Sequence, residues 1–192
     1  MDAGLSGRVA LVTGGNHGIG AATAEALADA GAAVFVTYLR LAPPSGLDDL
    51  GDGGARRRYA ENQARSADAV VAAIRAAGGR ADGVEADLAD PATAARLFDS
   101  AEATFGPVEV LINNAAHGAA DSFLPADHRT GLAAGGDTLR PFTAHGYDRH
   151  VAVNDRAAGL MMAEFARAAR GAGGDMGPHR QRQHGRCAGV SR

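Results

Sequence analysis

Thr13-Gly14-Gly15-Asn16-His17-Gly18-Ile19-Gly20 joins a short apolar run, Arg8 to Thr13, to an apolar stretch of helical character from Ile19 to Ala30. The run is brief and rich in β-branched residues and ends at glycines, which reads as a buried strand; Gly31 stops the helix. Glycines at such a turn let the backbone bend tightly and come close to a ligand. The free N–H groups and the positive end of the helix dipole then favour a negatively charged group such as a pyrophosphate. Taken alone, the motif is also compatible with an ordinary glycine-rich turn, so its surroundings decide.

Working outward, a second strand spans Ala33 to Tyr38, and Leu41 to Gly54 is a loop marked by Pro43, Pro44 and several glycines. Helix follows from Arg56 to Ala77, with Val70, Val71 and Ile74 on one face, and Gly78-Gly79 end it. A third strand covers Arg80 to Glu85. After a turn at Asp87 to Asp90, Pro91 opens a helix that runs to Phe105. Val108 to Ile112 is a fourth strand, closed by Asn113-Asn114. Strand alternates with helix throughout, which predicts a parallel sheet covered on both faces. Gly118 to Gly146 lacks periodicity and reads as a surface excursion. From Tyr147 to Arg170 a helix returns, with Val151, Leu160, Met161, Phe165 and Ala168 on its buried side.

At 192 residues the length suits one domain, and a net charge of -3 gives no reason to expect nucleic acid or an anionic membrane as partner. No apolar run reaches the ~18 residues of a membrane helix. The N-terminus lacks a secretion signal and Cys187 is the single cysteine, so a soluble, cytoplasmic protein is expected. All 19 basic residues are arginines; the sequence contains no lysine. The Arg56-Arg57-Arg58 run reads as a solvated face, and His117, His128, His145 and His150 lack the spacing of a metal site, so no metal is expected.

Taken in order, these segments resemble the short-chain dehydrogenase/reductase family. The matching motifs are Thr-Gly-x-x-x-Gly-x-Gly at Thr13 to Gly20, Asp87-Leu88 after the third strand, Asn113-Asn114-Ala115-Ala116 where the family has Asn-Asn-Ala-Gly, and Val153-Asn154 in the last helix. The resemblance implies a Rossmann-type doubly wound parallel sheet, α/β and incomplete, with about four of the family's seven strands present. It implies an NAD(P)-dependent oxidoreductase that reduces a carbonyl or oxidises an alcohol on a small molecule. It also implies cofactor contacts for Gly14, Asn16, His17, Gly18, Ile19 and Gly20, for Asp87 and Leu88 on the adenine side, and for Asn114, Ala115 and Ala116. Asn154 falls at the family's catalytic asparagine, which holds a water in a proton relay. Each match has a plainer alternative on its own: Asp87 as a helix cap, Asn114 as a tie at a strand end, Asn154 as an ordinary helical residue.

Cofactor choice in such a fold rests at the end of the second strand, where a carboxylate binds the ribose 2′-hydroxyl of NAD and repels the 2′-phosphate of NADP. Here Tyr38 holds that position, followed by Leu39 and Arg40, and no carboxylate is available along the strand. With His17 and Arg40 both placed to face a phosphate, NADP is expected over NAD; the alternative leaves Arg40 a solvated loop residue.

The family's acid/base pair, a tyrosine with a lysine four residues later, is absent. Tyr38, Tyr59 and Tyr147 are followed at that distance by Ala42, Gln63 and Val151. A phenol near its usual pKa of ~10 is a poor base without a neighbouring cation. The chain is therefore expected to be inactive by itself; the alternative is a pseudoenzyme, a non-catalytic nucleotide-binding or interaction module. Homo-oligomers are expected only for an intact form. An unpaired edge on the fourth strand and an uncovered apolar face on the last helix predict poor stability.

The expected organisation is a partial domain over residues 1–175 and a non-native or disordered tail over residues 176–192. Regrouping the codons of Met176 to Gln183 after dropping one base permits Trp-Gly-Arg-Ile-Val-Asn-Val-Ser, a strand pattern ending in serine where the family has its fifth strand and catalytic serine. A single-base frameshift near Asp175 or Met176 accounts for this better than a basic nucleic-acid-binding arm over His179 to Arg192.

Overall fold

The computed structural model describes residues 4–43, 54–125 and 139–172. Strands β1 (Val9–Thr13), β2 (Ala33–Tyr38), β3 (Arg80–Glu85) and β4 (Val110–Ile112) form one sheet in the order β3-β2-β1-β4. Every pairing in it is parallel, with Val9 opposite Ala33, Ala33 opposite Arg80, and Ala10 opposite Val110. Helices α1 (Gly18–Asp29), α2 (Ala55–Gln63), α3 (Asp68–Ala76) and α4 (Thr93–Phe105) supply the connections.

Alternation along the strands sends successive side chains to opposite faces, and each face has its own helical cover. Ala10, Val12, Val34 and Val36 pack with Ala24 of α1 and with Val70, Val71 and Ile74 of α3. Val9, Leu11 and Phe35 pack on the other face with Leu97, Phe98 and Ala101 of α4. This is the α/β doubly wound arrangement expected from the sequence. Val110 to Ile112 are only half-buried, because β4 has β1 as its sole strand partner among the described residues.

Four expectations are corrected in detail. The helix read from Arg56 to Ala77 is two helices. Asn16 Nδ2 reaches across from the glycine loop to take the carbonyl of Arg65 (2.9 Å), and Ser66 Oγ accepts from the Asp68 N–H (3.3 Å), so the chain turns between Ala64 and Ala67. Helix α4 starts at Thr93 rather than Pro91, since Asp90 Oδ1 captures the Ala92 N–H (2.9 Å) in an Asx turn. Within Gly118 to Gly146, β5 (Asp121–Ser122) pairs with β6 (Arg140–Pro141), while residues 126–138 lie outside the described residues.

The last helix also differs. Thr143 caps it by accepting from the Gly146 N–H (3.0 Å), so α5 (Ala144–His150) begins ahead of Tyr147. A π-helical segment, Val151–Ala157, follows, and then α6 (Ala158–Ala172). A π turn takes more residues per turn and rotates the inward face. Ala152 and Ala157 are therefore buried, while Val151 stays half-buried. Leu160, Met161, Phe165 and Ala168 do line one side, and they are not uncovered: they join the cluster formed by β1 and α4. Residues 173–192, including the proposed tail, lie outside the described residues. No helix among the described residues is long and apolar enough to cross a membrane.

Candidate functional site

The strand order reverses between β1 and β4, and a crevice of about 400 Å³ opens at the carboxyl ends of the strands there. Ligands bind at such a switch point in doubly wound sheets. Side chains at the two strand ends join its walls. Thr13 Oγ1 donates to the Ile112 carbonyl (3.2 Å) and accepts from the N–H groups of Asn114 and Ala115 (3.0 Å each). Asn114 Nδ2 donates back to the carbonyls of Thr13 (2.9 Å) and Gly14 (3.0 Å).

The glycines behave unequally around this joint. Gly14 sits at φ +67°, where a Cβ would lie 3.0 Å from both Ala115 Cα and Asn114 Nδ2; a Cβ on Gly20 would fall 2.1 Å from the Gly14 oxygen. Gly18, at φ +57°, instead opens into free space, with nothing within 4 Å. Beside it Ile19 is 80% exposed, and the first turn of α1 carries no acidic residue. A tight base below an open helix N-terminus is what an anionic ligand group requires.

Gly14, Asn16, His17, Gly18, Ile19 and Gly20 line one side of the crevice. Tyr38, Asp87 and Leu88 line the end towards β2 and β3, and Asn114, Ala115 and Ala116 the side next to β4. Two predicted residues stand outside. Arg40 is committed to Glu85, through its backbone N–H (3.0 Å), its Nε (2.8 Å) and its terminal nitrogen (2.6 Å). Asn154 gives both ends of its side chain to the peptide of His117, accepting from the N–H (2.7 Å) and donating to the carbonyl (2.9 Å). It thereby ties the π segment to the loop after β4, while its neighbour Val153 reaches the crevice.

Glu85 also corrects the reading of β2. A carboxylate is near Tyr38 after all, because the parallel register places Glu85 of β3 opposite it. Arg40 beside it holds Glu85 below the usual carboxylate range, chiefly by hydrogen bonding. His17 is half-buried and packs edge-on against Tyr59 at 5.6 Å, and burial lowers its pKa from 6.5. Of the two cations expected to meet a phosphate, Arg40 is therefore already paired and burial disfavours the charged form of His17.

Thr37, Tyr59, Gln63, His117 and Arg149 also line the crevice, although the sequence alone does not mark them as residues of the site. Arg149 of α5 reaches Asp87 Oδ2 at 3.3 Å, while Asp87 Oδ1 accepts from the Ala89 N–H (2.9 Å); Asp87 thus closes a turn ahead of α4, whose N-cap is Ala92, and does not cap the helix. His117 packs edge-on to His150 at 4.8 Å; burial, and then His150 and Arg149, lower its pKa.

The family model of the KR domain matches residues 9–130, well over half of the chain. The chain belongs to the short-chain dehydrogenase/reductase family. A member of that family from Picea abies, a short-chain type dehydrogenase/reductase, is 33% identical over 171 residues, covering 88% of this chain and 52% of its own. An uncharacterized oxidoreductase of Methylorubrum extorquens is 44% identical over 110 residues, covering 57% of this chain and 36% of its own. Among solved family structures, a Burkholderia cenocepacia short chain dehydrogenase in complex with NADP superposes with a TM-score of 0.60 at 34% identity, over 85% of this chain and 51% of that one. A blue fluorescent protein from a metagenomic library, in complex with NADPH, gives 0.59 at 32% identity, over 86% and 52%. The chain thus spans about half or less of the length of the relatives it matches.

Proposed function

We propose that the crevice binds a nicotinamide dinucleotide, with its pyrophosphate on the first turn of α1 and its adenine end beside Tyr38, Asp87 and Leu88. The observation that carries this is the contrast between Gly14 and Gly20, packed against Asn114, and Gly18, open at the helix N-terminus. The NADP and NADPH bound to the Burkholderia and metagenomic relatives support it. NADP(H) is favoured over NAD(H) because β2 ends in Tyr38 rather than a carboxylate, by a margin kept small by the pairing of Arg40 with Glu85.

When bound, the cofactor supplies a hydride for carbonyl reduction or accepts one in alcohol oxidation. The chain's own residues hold the dinucleotide, and Asn154 fixes the loop after β4 through His117. Turnover belongs to an intact form of the enzyme, since the 192-residue sequence places no lysine four residues beyond any tyrosine to lower a phenol pKa. The same observation is what favours the second reading, a pseudoenzyme that keeps the cradle without the chemistry.

Titration calorimetry of the purified chain with NADPH and with NADH tests the binding. The expected result is weak affinity for both, because the family resemblance places the nicotinamide side on strands beyond β4. Sub-micromolar affinity for NADPH would overturn the importance given to those strands, and the absence of any binding would overturn the cofactor assignment.

A further inference from the structure

We propose that Glu85, on the neighbouring strand, is a specificity-determining residue that withdraws Arg40 from the cofactor's 2′-phosphate. The inference rests on the crevice being a nicotinamide dinucleotide site. Leu39 and Leu41 line the crevice and Arg40, between them, does not. Beyond β2 the Leu41 N–H donates to the Gln63 carbonyl (3.1 Å), and Arg40 turns away to Glu85 on the outer strand.

There Glu85 engages it at three points. Its Oε1 accepts from the backbone N–H (3.0 Å), its Oε2 accepts from Nε (2.8 Å), and the terminal nitrogen forms an ion pair with the same Oε2 at 2.6 Å. This contact occupies the Nε edge of the guanidinium, the edge that would otherwise meet a phosphate. The 2′-phosphate of NADP lies just beyond the end of β2 in this fold, and a carboxylate at that place selects against it. Glu85 does both things from the adjacent strand: it occupies Arg40 and supplies the opposing negative charge. The pair is exposed, with 56% and 30% of the two side chains accessible, so a competing charge is able to displace it. The result is a site that discriminates little between the two cofactors, in place of one with a free arginine at the 2′-phosphate.

The test is calorimetric titration of NADPH and NADH into the full chain and three variants. Glu85→Gln keeps the shape of the side chain and its acceptor for the Arg40 N–H while removing the charge. It is expected to raise the preference for NADPH over NADH by about fivefold, the scale of one exposed charge-assisted contact, with NADH affinity little changed. Arg40→Ala leaves Glu85 unpaired and shifts the preference towards NADH. The double variant returns close to the starting ratio. A Glu85→Gln ratio that is unchanged, or lower because Glu85 had been orienting Arg40 onto the phosphate, overturns the inference alone. Failure of every variant to bind either cofactor overturns it together with the cofactor assignment.

Discussion

Gly20 lies directly against Asn114: a Cβ added to Gly20 would stand 2.5 Å from Asn114 Nδ2 and 2.1 Å from the Gly14 oxygen to which that nitrogen donates. An alanine at this place would ordinarily favour the helix by up to about 1 kcal/mol. Here the clash is with backbone, which does not swing aside, and overpacking of that kind costs about 1–3 kcal/mol. Gly20→Ala is therefore expected to lower the urea midpoint, and Asn114→Ala to do the same by leaving the Thr13 and Gly14 carbonyls without their donor. An unchanged or raised midpoint for Gly20→Ala would mean that the joint is looser than the geometry shows.

A second expectation concerns pH. His17 and His117 have folded pKa values below 6.5, the first through burial, the second through burial and then its neighbours His150 and Arg149. On unfolding, each regains the ordinary value, so between the lowered values and 6.5 the unfolded state binds more protons. Stability is then full above about pH 6.5 and falls as pH drops through that window. Glu85 and Asp90, held below 4.5 and 3.8 by arginine partners, add a separate loss only at still lower pH. Urea midpoints measured across this range should show the upper decline, and the double variant His17→Gln/His117→Gln should flatten it. A decline that survives in the double variant would point to other groups.

With NADPH or NADH and a panel of small aldehydes and ketones, the purified chain is expected to show no turnover above background. Tyr38 and Tyr59 line the crevice, and no lysine exists anywhere in the sequence to depress the pKa of either phenol. Steady oxidation of NADPH that scales with protein and disappears in Asn154→Ala would overturn this, since Asn154 holds the loop at His117.

What was legible in the sequence follows from periodicity and local chemistry. The strands β1 and β2 are short and apolar and each follows closely on a glycine, Gly7 or Gly31, and nothing competes with that pattern. The glycine motif was legible because its meaning lies in one strand-helix turn. The parts that were not visible depend on partners distant in sequence. Glu85 meets Tyr38 only through the β2–β3 register, and the break between α2 and α3 depends partly on Asn16 reaching Arg65. Arg149 enters the crevice because α5 returns past Asp87, and Tyr59 because α2 brings it against His17. A scan along the end of β2 finds no carboxylate, since the one that matters is one strand away.

The last prediction concerns Met176 to Arg192, which lie outside the described residues and are read from sequence alone. Methionine is ATG, glycine GGN, proline CCN and histidine CAY, so removing the first base regroups Met176-Gly177-Pro178-His179 as TGG, GNC, CNC and AY followed by the first base of Arg180, C or A. These permit Trp-Gly-Arg-Ile, and continuing through Gln183 permits Val-Asn-Val-Ser. The octet has the apolar β-branched character of a buried strand and ends in a serine, at the place where the family resemblance puts the fifth strand and its catalytic serine. Codons for His184 to Ser191 go on to permit Thr-Asp-Gly-Ala-Pro-Gly-Phe-Pro. Degenerate positions leave latitude in each later step, yet the tryptophan is forced, because the single methionine codon ATG followed by the first G of glycine leaves TGG, and no step contradicts a strand. The expected outcome of sequencing the locus is an open shifted frame beyond a one-base change near Asp175 or Met176, carrying, about a dozen residues after the restored serine, a tyrosine with a lysine four residues later. That lysine would be the partner that no tyrosine of the present chain has, and repairing the base should restore NADPH-dependent turnover. An early stop in that frame, or a frame that runs on without the pair, would discard the frameshift and leave the pseudoenzyme as the reading that fits.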